Sequence, residues 1–477
     1  MIDDFSESDL PYKVDVVDWA TTSAAFREII ERDRVVVRGL EKVSLVNKWC
    51  RIPFSDAVEI ISGGIPKTNV PEYWGGNIPW LSVADFNTGC RWVSTAEKHI
   101  TERGITESAT SMLDRGDIII SARGTVGALA QLSRPMAFNQ SCYGIRGRKG
   151  ISETDFIYYA LHHAVSSMKQ LAHGGVFDTI TRDTFRIIEI NLPPITEQHA
   201  IAKILGILDD KIELNRRMNA TLEAIAQALF KSWFVDFDPV RAKMEGRWQR
   251  GESLPGLPAH LYDLFPDHLV DSKLGDIPGG WKVETLGDVA EHPRRGVQLD
   301  QFSSATPYIA LEHMPKRCIA LSEWENANGL QSNKFKFKRG EILFGKLRPY
   351  FHKVGIAPLD GVCSTDIVVI TPKSEKWFGF VLGHVFSDAL VKYTNAGSIG
   401  TKMPRTNWID MARYSVPYPP EDVAEAFDSE IRSKVEKLIA AIHESRTLAT
   451  LRDTLLPKLL SGAIRIKDAE NLIGDAA

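Results

Sequence analysis

Apolar residues recur at helical spacing in two long stretches of the chain, one central and one near its end. In the first stretch they alternate in steps of four and three from Ile201 to Trp233, and in the second they recur from Phe427 to Leu455. Seams of this kind predict two amphipathic helices that pair in the manner of a coiled coil. As a helix, residues 197–233 would span roughly 55 Å at about 1.5 Å per residue.

The positions expected to form the helix-pairing and partner-binding surface are apolar. They are Ile201, Leu205, Leu208, Ile212, Leu222 and Leu229 in the first stretch and Leu438, Leu448 and Leu455 in the second. Gly206 interrupts the first seam, and Asn215 and Asn219 also fall on it. A buried seam asparagine fixes register at a cost in stability, whereas an asparagine at the wet edge would not, and the sequence leaves both interpretations open. We expect Pro457 to kink or end the second helix and Gly462 to stop the apolar pattern.

Short apolar runs between Gly, Pro and Asn residues fill two further regions, 49–195 and 281–420. Such runs predict mixed α/β domains built from short strands. Residues 236–280, which separate these regions, are rich in Pro, Gly and charge and predict an irregular connection. The remaining boundaries are an N-terminal extension at 1–48, spacer helices at 196–235 and 421–463, and a C-terminal tail at 464–477.

The sequence is duplicated. Three pairs of segments carry the repeat: RGDIIISARGTVG from Arg115 with RGEILFGKLRPYF from Arg339, GGVFDTITRDTF from Gly174 with GSIGTKMPRTNW from Gly397, and TLEAIAQALF (221–230) with TLATLRDTLL (447–456). A period of about 225 residues is too long for a solenoid. We therefore expect an α/β fold of duplicated, mixed α+β domains, joined by two long antiparallel helices that form a coiled-coil-like spacer. Such a molecule would have internal pseudo-two-fold symmetry.

Composition narrows the class of protein. A chain of 477 residues is too long for one core. No stretch approaches 18 consecutive apolar residues, so we expect no transmembrane helix, and the acidic start lacks the basic region of a secretory signal. The 5 cysteines are scattered, without CxxC spacing. They favour a reducing cytoplasm over a zinc site or a disulfide framework.

Charge points to one segment. The net charge of −4 does not itself argue for a nucleic-acid partner. Between Lys334 and Lys353, however, seven cations face only one acid, Glu341, and aromatic residues are interleaved with them. The run has two interpretations: a solvated strand face, or a stripe that contacts the phosphates of DNA.

The motifs of catalysis are incomplete. The run from Gly340 to Lys346 matches part of a Walker A loop, but Leu347 stands where Ser or Thr must bind magnesium. Asn191 to Ile195 lacks the spacing and the aromatic residue of an amino-methyltransferase loop, and no glycine-rich cofactor turn precedes it. His162 and His163 have no further ligands at metal spacing. We therefore expect a binding protein without catalytic residues, bound cofactor or metal.

The combined motifs resemble a known family, the DNA specificity (S) subunits of type I restriction-modification systems. Its first target recognition domain is matched by SGGIPKTNVPEYWGGNIPWLSVADF (62–86), SARGTVG (121–127) and FNQSC (138–142). Its second is matched by GEILFGKLRPYFHKVG (340–355), CSTDIVVI (363–370) and GTKMPRTNW (400–408). Its spacer helices are matched by 193–215 and 451–464. Two departures are the extension 1–48, which has no counterpart, and Ile65, where the family usually carries Thr.

The resemblance implies a non-catalytic subunit that recognises a bipartite, asymmetric site in double-stranded DNA. Each domain would read one part, and the helices would set the unread gap. The implied partners are two modification (methyltransferase) subunits and restriction (translocase and nuclease) subunits. Those partners, rather than this chain, would use S-adenosylmethionine, ATP and magnesium. The alternative is a stand-alone DNA-binding protein, or a protein that interacts through its helices, without a restriction partner.

Reading a base requires side chains that present paired donors or acceptors. The candidates in the first domain are Lys67, Thr68, Asn69, Arg123, Thr125, Asn139, Gln140, Thr181 and Arg182. The candidates in the second are Arg294, Arg295, Lys346, Arg348, Tyr350, Ser364, Thr365, Lys402, Arg405 and Thr406. For each of them, a structural role or a plain phosphate contact is the alternative, because phosphate and sugar take half or more of protein–DNA hydrogen bonds.

Overall fold

The computed structural model describes residues 49–171, 179–398 and 403–474, so the extension 1–48 and Lys402 lie outside the described residues. The strands of domain 1 are β1 (Cys50–Pro53), β2 (Val58–Ser62), β3 (Trp74–Leu81), β4 (Trp92–Val93), β5 (Lys98–Ile100), β6 (Met112–Leu113), β7 (Ile118–Ser121), β8 (Leu129–Leu132), β9 (Met136–Phe138), β10 (Cys142–Gly147) and β11 (Glu189–Leu192). Its helices are α1 (Phe54–Ala57), α2 (Val83–Phe86), α3 (Glu102–Thr106), α4 (Thr154–Leu171) and α5 (Arg182–Ile187).

Three sheets organise domain 1, with strand orders β2-β10-β7-β8-β4, β5-β3-β9-β6 and β1-β11. Strand β7 explains how they share a core. Ile118 and Ile120 pack in the cluster that contains α4, whereas Ile119 packs with Leu81 and Phe138 of the second sheet. Alternate residues of a strand point to opposite faces. A strand buried on both faces therefore appears in sequence as one continuous apolar run.

The central helix α6 (Ile195–Phe234) leads out of domain 1 into an ordered connection. That connection contains α7 (Asp238–Met244), a 3₁₀ turn at Ala259–Leu264 and the paired strands β12 (Leu269–Val270) and β13 (Ile277–Pro278). Its buried Trp248 packs edge-on against Tyr262, with ring centroids 5.1 Å apart. The connection therefore contains more regular structure than its Pro and Gly content predicts, because a few widely spaced aromatic residues anchor it.

Domain 2 repeats the architecture of domain 1. Its strands are β14 (Lys282–Thr285), β15 (Ala290–Glu291), β16 (Gly296–Val297), β17 (Pro307–Ile309), β18 (Glu325–Asn326), β19 (Lys334–Phe337), β20 (Ile342–Gly345), β21 (Val354–Ile356), β22 (Gly361–Cys363), β23 (Ile367–Pro372) and β24 (Ser415–Tyr418). Its helices are α8 (Leu286–Val289), α9 (Phe378–Val385), α10 (Asp388–Ala396) and α11 (Trp408–Ala412).

The strand pairing shows the duplication directly. Parallel pairs β3·β9 and β17·β22 occupy equivalent places, and β1·β11 and β14·β24 close the two domains. Strand β20 divides its residues as β7 does: Ile342 and Phe344 join the cluster that contains the long helices, and Leu343 faces the second sheet. The predicted duplicated, mixed α/β fold is thus confirmed.

The distal helix α12 (Glu421–Ser461) returns along α6, and a short helix, α13 (Ile466–Gly474), follows it. The contacts between the long helices run in opposite order, Asp209 to Arg452 at one end and Phe230 to Phe427 at the other. The helices are therefore antiparallel, as predicted. The fully buried seam residues are Ile201, Leu205, Leu208, Leu438, Leu448 and Leu455, while Ile212, Leu222 and Leu229 are half-buried.

The end of α12 differs from its prediction. The helix continues past Pro457 to Ser461 and stops where Gly462 adopts a left-handed conformation, with φ 72°. Leu459 and Leu460 in this last turn are buried in the core of domain 1. Their packing outweighs the loss of one backbone donor at the proline. The prediction that Pro457 could end the helix is wrong, and that for Gly462 is confirmed.

The middle of α6 carries two asparagines on the face that packs against α12. Asn215 and Asn219 are buried, so they do not lie at a wet edge. The Nδ2 of Asn215 donates to Glu444 at 2.7 Å and to Ser445 at 3.3 Å. The Oδ1 of Asn219 has no hydrogen-bond partner among the described residues. The seam asparagines therefore favour one register of the two helices. None of the helices in the described ranges combines the length and apolar character needed to cross a membrane.

Candidate nucleic-acid interface

Four loops of domain 1 meet at one edge of its sheets. The loop after β2 bonds to the end of β9 through Gly64 N and Phe138 O at 3.0 Å. The loop after β7 bonds through Ala122 to the loop after β9 and to the segment before α5. The N–H of Ala122 donates to Ser141 O at 2.8 Å, and its O accepts from Ile180 N at 2.9 Å. The sequence motifs of domain 1 therefore lie together on one surface.

Paired glycines allow this close approach. A Cβ atom on Gly63 would lie 2.1 Å from the backbone O of Asn139, and one on Gly64 would lie 2.2 Å from that of Ala109. No side chain fits at either position, so the glycines hold the loop against its neighbours. The following residues, Lys67 to Asn69, are exposed beyond this contact.

The candidates in domain 1 divide into two groups. The exposed side chains without a hydrogen bond in the described ranges are Lys67, Thr68, Asn69, Arg123, Thr125 and Gln140. The others have structural partners. The Oδ1 of Asn139 accepts from the N–H of Ser141 at 3.0 Å, and Thr181 caps the N-terminus of α5. The guanidinium of Arg182 donates to Ile60 O at 3.2 Å. Only the first group is unengaged and available to meet a ligand.

Domain 2 builds the same kind of surface from the loops after β20 and β22 and from the segment before α11. The N–H of Lys346 donates to Asp366 O at 2.9 Å, and that of Arg348 donates to Pro404 O at 2.7 Å. The guanidinium of Arg405 lies 3.0 Å from the carboxylate of Asp366. Asp366 was absent from the sequence candidates, although it directly follows Ser364 and Thr365, which were among them.

The electrostatics of this surface are cationic. Burial lowers the pKa of Lys346; nearby Arg405 and Arg294 lower it further, and Asp366 opposes them. Arg348 has a left-handed backbone, with φ 52°, and its Nε is buried without a partner in the described part of the chain. Strained non-glycine residues concentrate at binding sites. The group Arg294, Lys346, Arg348 and Arg405 therefore suits an anion such as a DNA phosphate.

Two sequence candidates in domain 2 do not suit DNA contact. Arg295 is paired with the buried carboxylate of Glu341, at 2.9 Å from Nη1 to Oε2, beside the end of β20 remote from Lys346. Thr406 is only 3% exposed, so its hydroxyl cannot reach a ligand. Ser364 is half-buried, while Thr365 and Tyr350 are exposed.

The basic run 334–353 does not form a continuous stripe. Lys334 is buried and donates to Ser332 O at 2.7 Å, and Lys353 donates to Leu311 O at 2.5 Å. Arg339 pairs with Glu436 of α12. The sheet separates these cations, and of the run only Lys346, Arg348 and Tyr350 remain candidates at the loop surface. Within the described residues, no group of His, Cys, Asp and Glu side chains is placed to hold a metal ion.

Replacing Arg123 by Ala tests the surface of domain 1. The expected result is a several-fold loss of DNA affinity and a salt dependence whose slope is smaller by about one, as for the loss of one phosphate contact. The matched control is Arg115→Ala, because Arg115 is also exposed but precedes the opposite end of β7. Titration of a duplex at several salt concentrations measures both quantities. Equal losses in the two variants would contradict the assignment.

Comparison with known proteins identifies the family of this chain. The family described as "Type I restriction modification DNA specificity domain" matches residues 47–224 and 278–452. The MjaIX specificity subunit of Methanocaldococcus jannaschii is 27% identical over 439 residues, which cover 88% of this chain and 94% of that protein. The HindI specificity subunit of Haemophilus influenzae is 26% identical over 334 residues, covering 61% and 72%.

A solved structure of a type I restriction-modification S subunit from M. genitalium aligns with 88% of this chain and 98% of its own, at 14% identity and a TM-score of 0.49. The two ranges matched by the family fall on the two repeats and together cover most of the sequence. The chain therefore belongs to the family of type I restriction modification DNA specificity domains.

Proposed function

We propose that this chain is the specificity subunit of a type I restriction-modification complex and that each domain reads one half of a bipartite DNA site. The observation that carries the proposal is the pair of equivalent loop surfaces, one on each domain. The two domains are joined by α6, whose 40 residues span about 60 Å at 1.5 Å per residue. Successive turns of one DNA groove lie about 34–36 Å apart, so the helix pair is long enough to place the surfaces on separate turns.

The two half-sites should differ. Domain 1 offers Asn69 and Gln140, with amide groups suited to adenine, whereas domain 2 offers Arg348 and Arg405, with guanidinium groups suited to guanine. Two surfaces with different donors and acceptors favour an asymmetric sequence. The remaining exposed cations would contact phosphates.

Catalysis would come from partner subunits. In this proposal two modification subunits methylate adenine with S-adenosylmethionine, and restriction subunits use ATP and magnesium. The outer face of α6 supports a docking role for the helices. It exposes Ile207, Leu214, Met218 and Ile225 at heptad spacing, away from the buried seam with α12. Exposed apolar rows mark surfaces that another protein covers.

Exchange of one recognition domain tests the proposal. Replacing residues 67–182 by the equivalent segment of a related specificity subunit should change one half of the methylated sequence and leave the other half and the gap unchanged. The matched control exchanges residues 294–406, which should change only the other half. Genome-wide mapping of methylated adenines measures both outcomes. A segment exchange that altered both halves, or methylation that did not depend on this chain, would refute the proposal.

A further inference from the structure

Arg91 lies where domain 1 meets the central helix. Its side chain is only 7% exposed and immediately precedes β4. Domain 1 holds it from two sides: Nε donates to Gln131 at 2.6 Å, and Nη2 lies 3.0 Å from the carboxylate of Asp155. The guanidinium carbon also lies 4.9 Å from the ring centre of Trp92. These contacts leave the guanidinium with one orientation, because its planar donors are satisfied in fixed directions.

A buried chain of hydrogen bonds continues from Arg91 through both long helices. Its Nη1 donates to the hydroxyl of Tyr159 on α4 at 3.1 Å. That hydroxyl donates to Oδ2 of Asp209 on α6 at 2.6 Å, and Nη1 of Arg452 on α12 donates to Oδ1 of the same carboxylate at 2.5 Å. We call Arg91, Tyr159, Asp209 and Arg452 the domain 1 network. It links the recognition domain to both helices through charged groups.

Gly206 completes the contact. A Cβ atom at this position would lie 2.9 Å from Nη1 of Arg91, closer than side chains pack. Glycine weakens the interior of a helix, so its place in the apolar seam of α6 requires a reason. Gly206 lies one helical turn before Asp209, and the space that it leaves is the space that Arg91 occupies.

Domain 2 joins the helices through an aromatic cluster at their other end. Phe234 of α6 packs edge-on against Phe380 of α9 and Phe427 of α12, with ring centroids 5.0 and 4.8 Å apart. Apolar packing is broad and depends weakly on direction. A network of charged hydrogen bonds depends strongly on angle and distance. Both domains pack apolar residues on the helices. The domain 1 network adds to this packing a set of charged groups whose geometry restricts the orientation of domain 1.

We infer that the domain 1 network positions the first recognition domain on the helix pair and so restricts the chain to one gap length between its half-sites. The inference rests on the proposed function. A base pair rises about 3.4 Å along DNA. Displacing the loops of domain 1 by that distance would move their target by one base pair. Residues of the network are positioning residues, because none of them lies in the loop surface that meets DNA.

Two variants disturb the network in different ways. Tyr159→Phe keeps the ring and removes the hydroxyl that joins Arg91 to Asp209. Gly206→Ala favours the helix but places a methyl group against Arg91. The matched control is Tyr158→Phe, because Tyr158 is a neighbouring buried tyrosine on α4 whose hydroxyl does not bond to Asp209.

The first measurement is gap preference. Each variant, purified with its modification subunits, is titrated with duplexes that carry both half-sites at the native gap or at gaps one and two base pairs shorter or longer. The gap preference is the ratio of the affinity for the native gap to the affinity for an altered gap. We expect Tyr159→Phe and Gly206→Ala to lower this ratio by about tenfold, as for the loss of one charge-assisted hydrogen bond. Affinity for a duplex with a single half-site should not change. A gap preference equal to that of the wild type would overturn the inference.

The second measurement needs no DNA and separates the inference from the proposed function. Spin labels on genetically encoded residues at positions 115 and 437 report the distance between domain 1 and α12. We expect a broader distance distribution in Tyr159→Phe and Gly206→Ala and an unchanged one in Tyr158→Phe. Thermal unfolding of Gly206→Ala should remain cooperative, because the gain in helix propensity offsets part of the lost hydrogen bond, and such unfolding excludes simple misfolding. Unchanged distributions would overturn the inference. A wild-type chain that prefers no pair of half-sites would instead refute the proposed function.

Discussion

Lengthening both long helices by four residues is expected to lengthen the gap in the recognised DNA site by about one or two base pairs, with both half-sites unchanged. Four helical residues add about 6 Å, which is roughly two base pairs at 3.4 Å each. Four residues also nearly complete a turn of 3.6 residues. The two recognition surfaces should therefore keep their orientation toward the DNA.

The structure fixes where the residues must be inserted. One insertion belongs between Glu213 and Leu214 of α6, and the other between Arg446 and Thr447 of α12. Both insertions then lie between two contacts that join the helices. The Asp209–Arg452 contact stays on the side of domain 1, and the Asn215–Glu444 contact stays on the side of domain 2. An insertion in α6 alone would move one helix past the other and break one of these contacts.

Mapping of methylated adenines reads the gap directly. The matched control replaces the exposed Asp210 and Thr447 by Ala without changing the length of either helix, and its gap should equal that of the wild type. A lengthened chain that keeps the original gap, or that changes a half-site, would show that the helices do not determine the spacing.

Phe427→Ala is expected to lower the free energy of unfolding by about 3–5 kcal/mol, the usual effect of removing a buried phenyl ring. Phe427 is fully buried where α12 meets α6, with its ring centroid 4.8 Å from that of Phe234 and 5.3 Å from that of Trp233. The cavity would lie between the two helices and domain 2. Neighbouring rings could close it only by abandoning their edge-on packing.

Chemical denaturation monitored by circular dichroism measures this loss. The matched control is Leu214→Ala on α6, because Leu214 is 59% exposed and surface substitutions usually change stability by less than about 0.5 kcal/mol. A loss for Phe427→Ala below about 1 kcal/mol would show that the aromatic cluster does not hold domain 2 to the helices.

The large-scale fold could be predicted because it depends on periodicity. Residues such as Leu205 and Leu438 occur at helical spacing, and spacing is visible in sequence. Local departures from this periodicity were harder to predict. The sequence suggested that the helix ends at Pro457, because proline lacks a backbone N–H donor. The helix continues because Leu460 is buried in domain 1, which is far away in the sequence.

The sequence identified the loops of the candidate site, but it identified less well which of their side chains are available to a ligand. The motifs around Arg123 and Lys346 do meet at equivalent surfaces. The sequence could not show that Asn139 is used to cap a turn or that Arg295 is paired with Glu341, because both partnerships depend on distance in the fold. Arg91 was missed altogether, and its only trace in the sequence is the glycine that it faces on α6.

The buried asparagines of α6 have a mechanical consequence. Between Ile212 and Leu222, the fully buried apolar residues of the helix pair, such as Leu438 and Ile442, come from α12, because the fully buried positions of α6 are Asn215 and Asn219. Apolar residues from both helices are buried at the two ends, and segments with fewer buried apolar contacts deform at a lower free-energy cost. The central helix is thus an elastic strut with stiff ends and a more compliant middle. When bound DNA bends or twists, the strain should collect there, far from both recognition surfaces, so that neither surface loses its fit to its half-site.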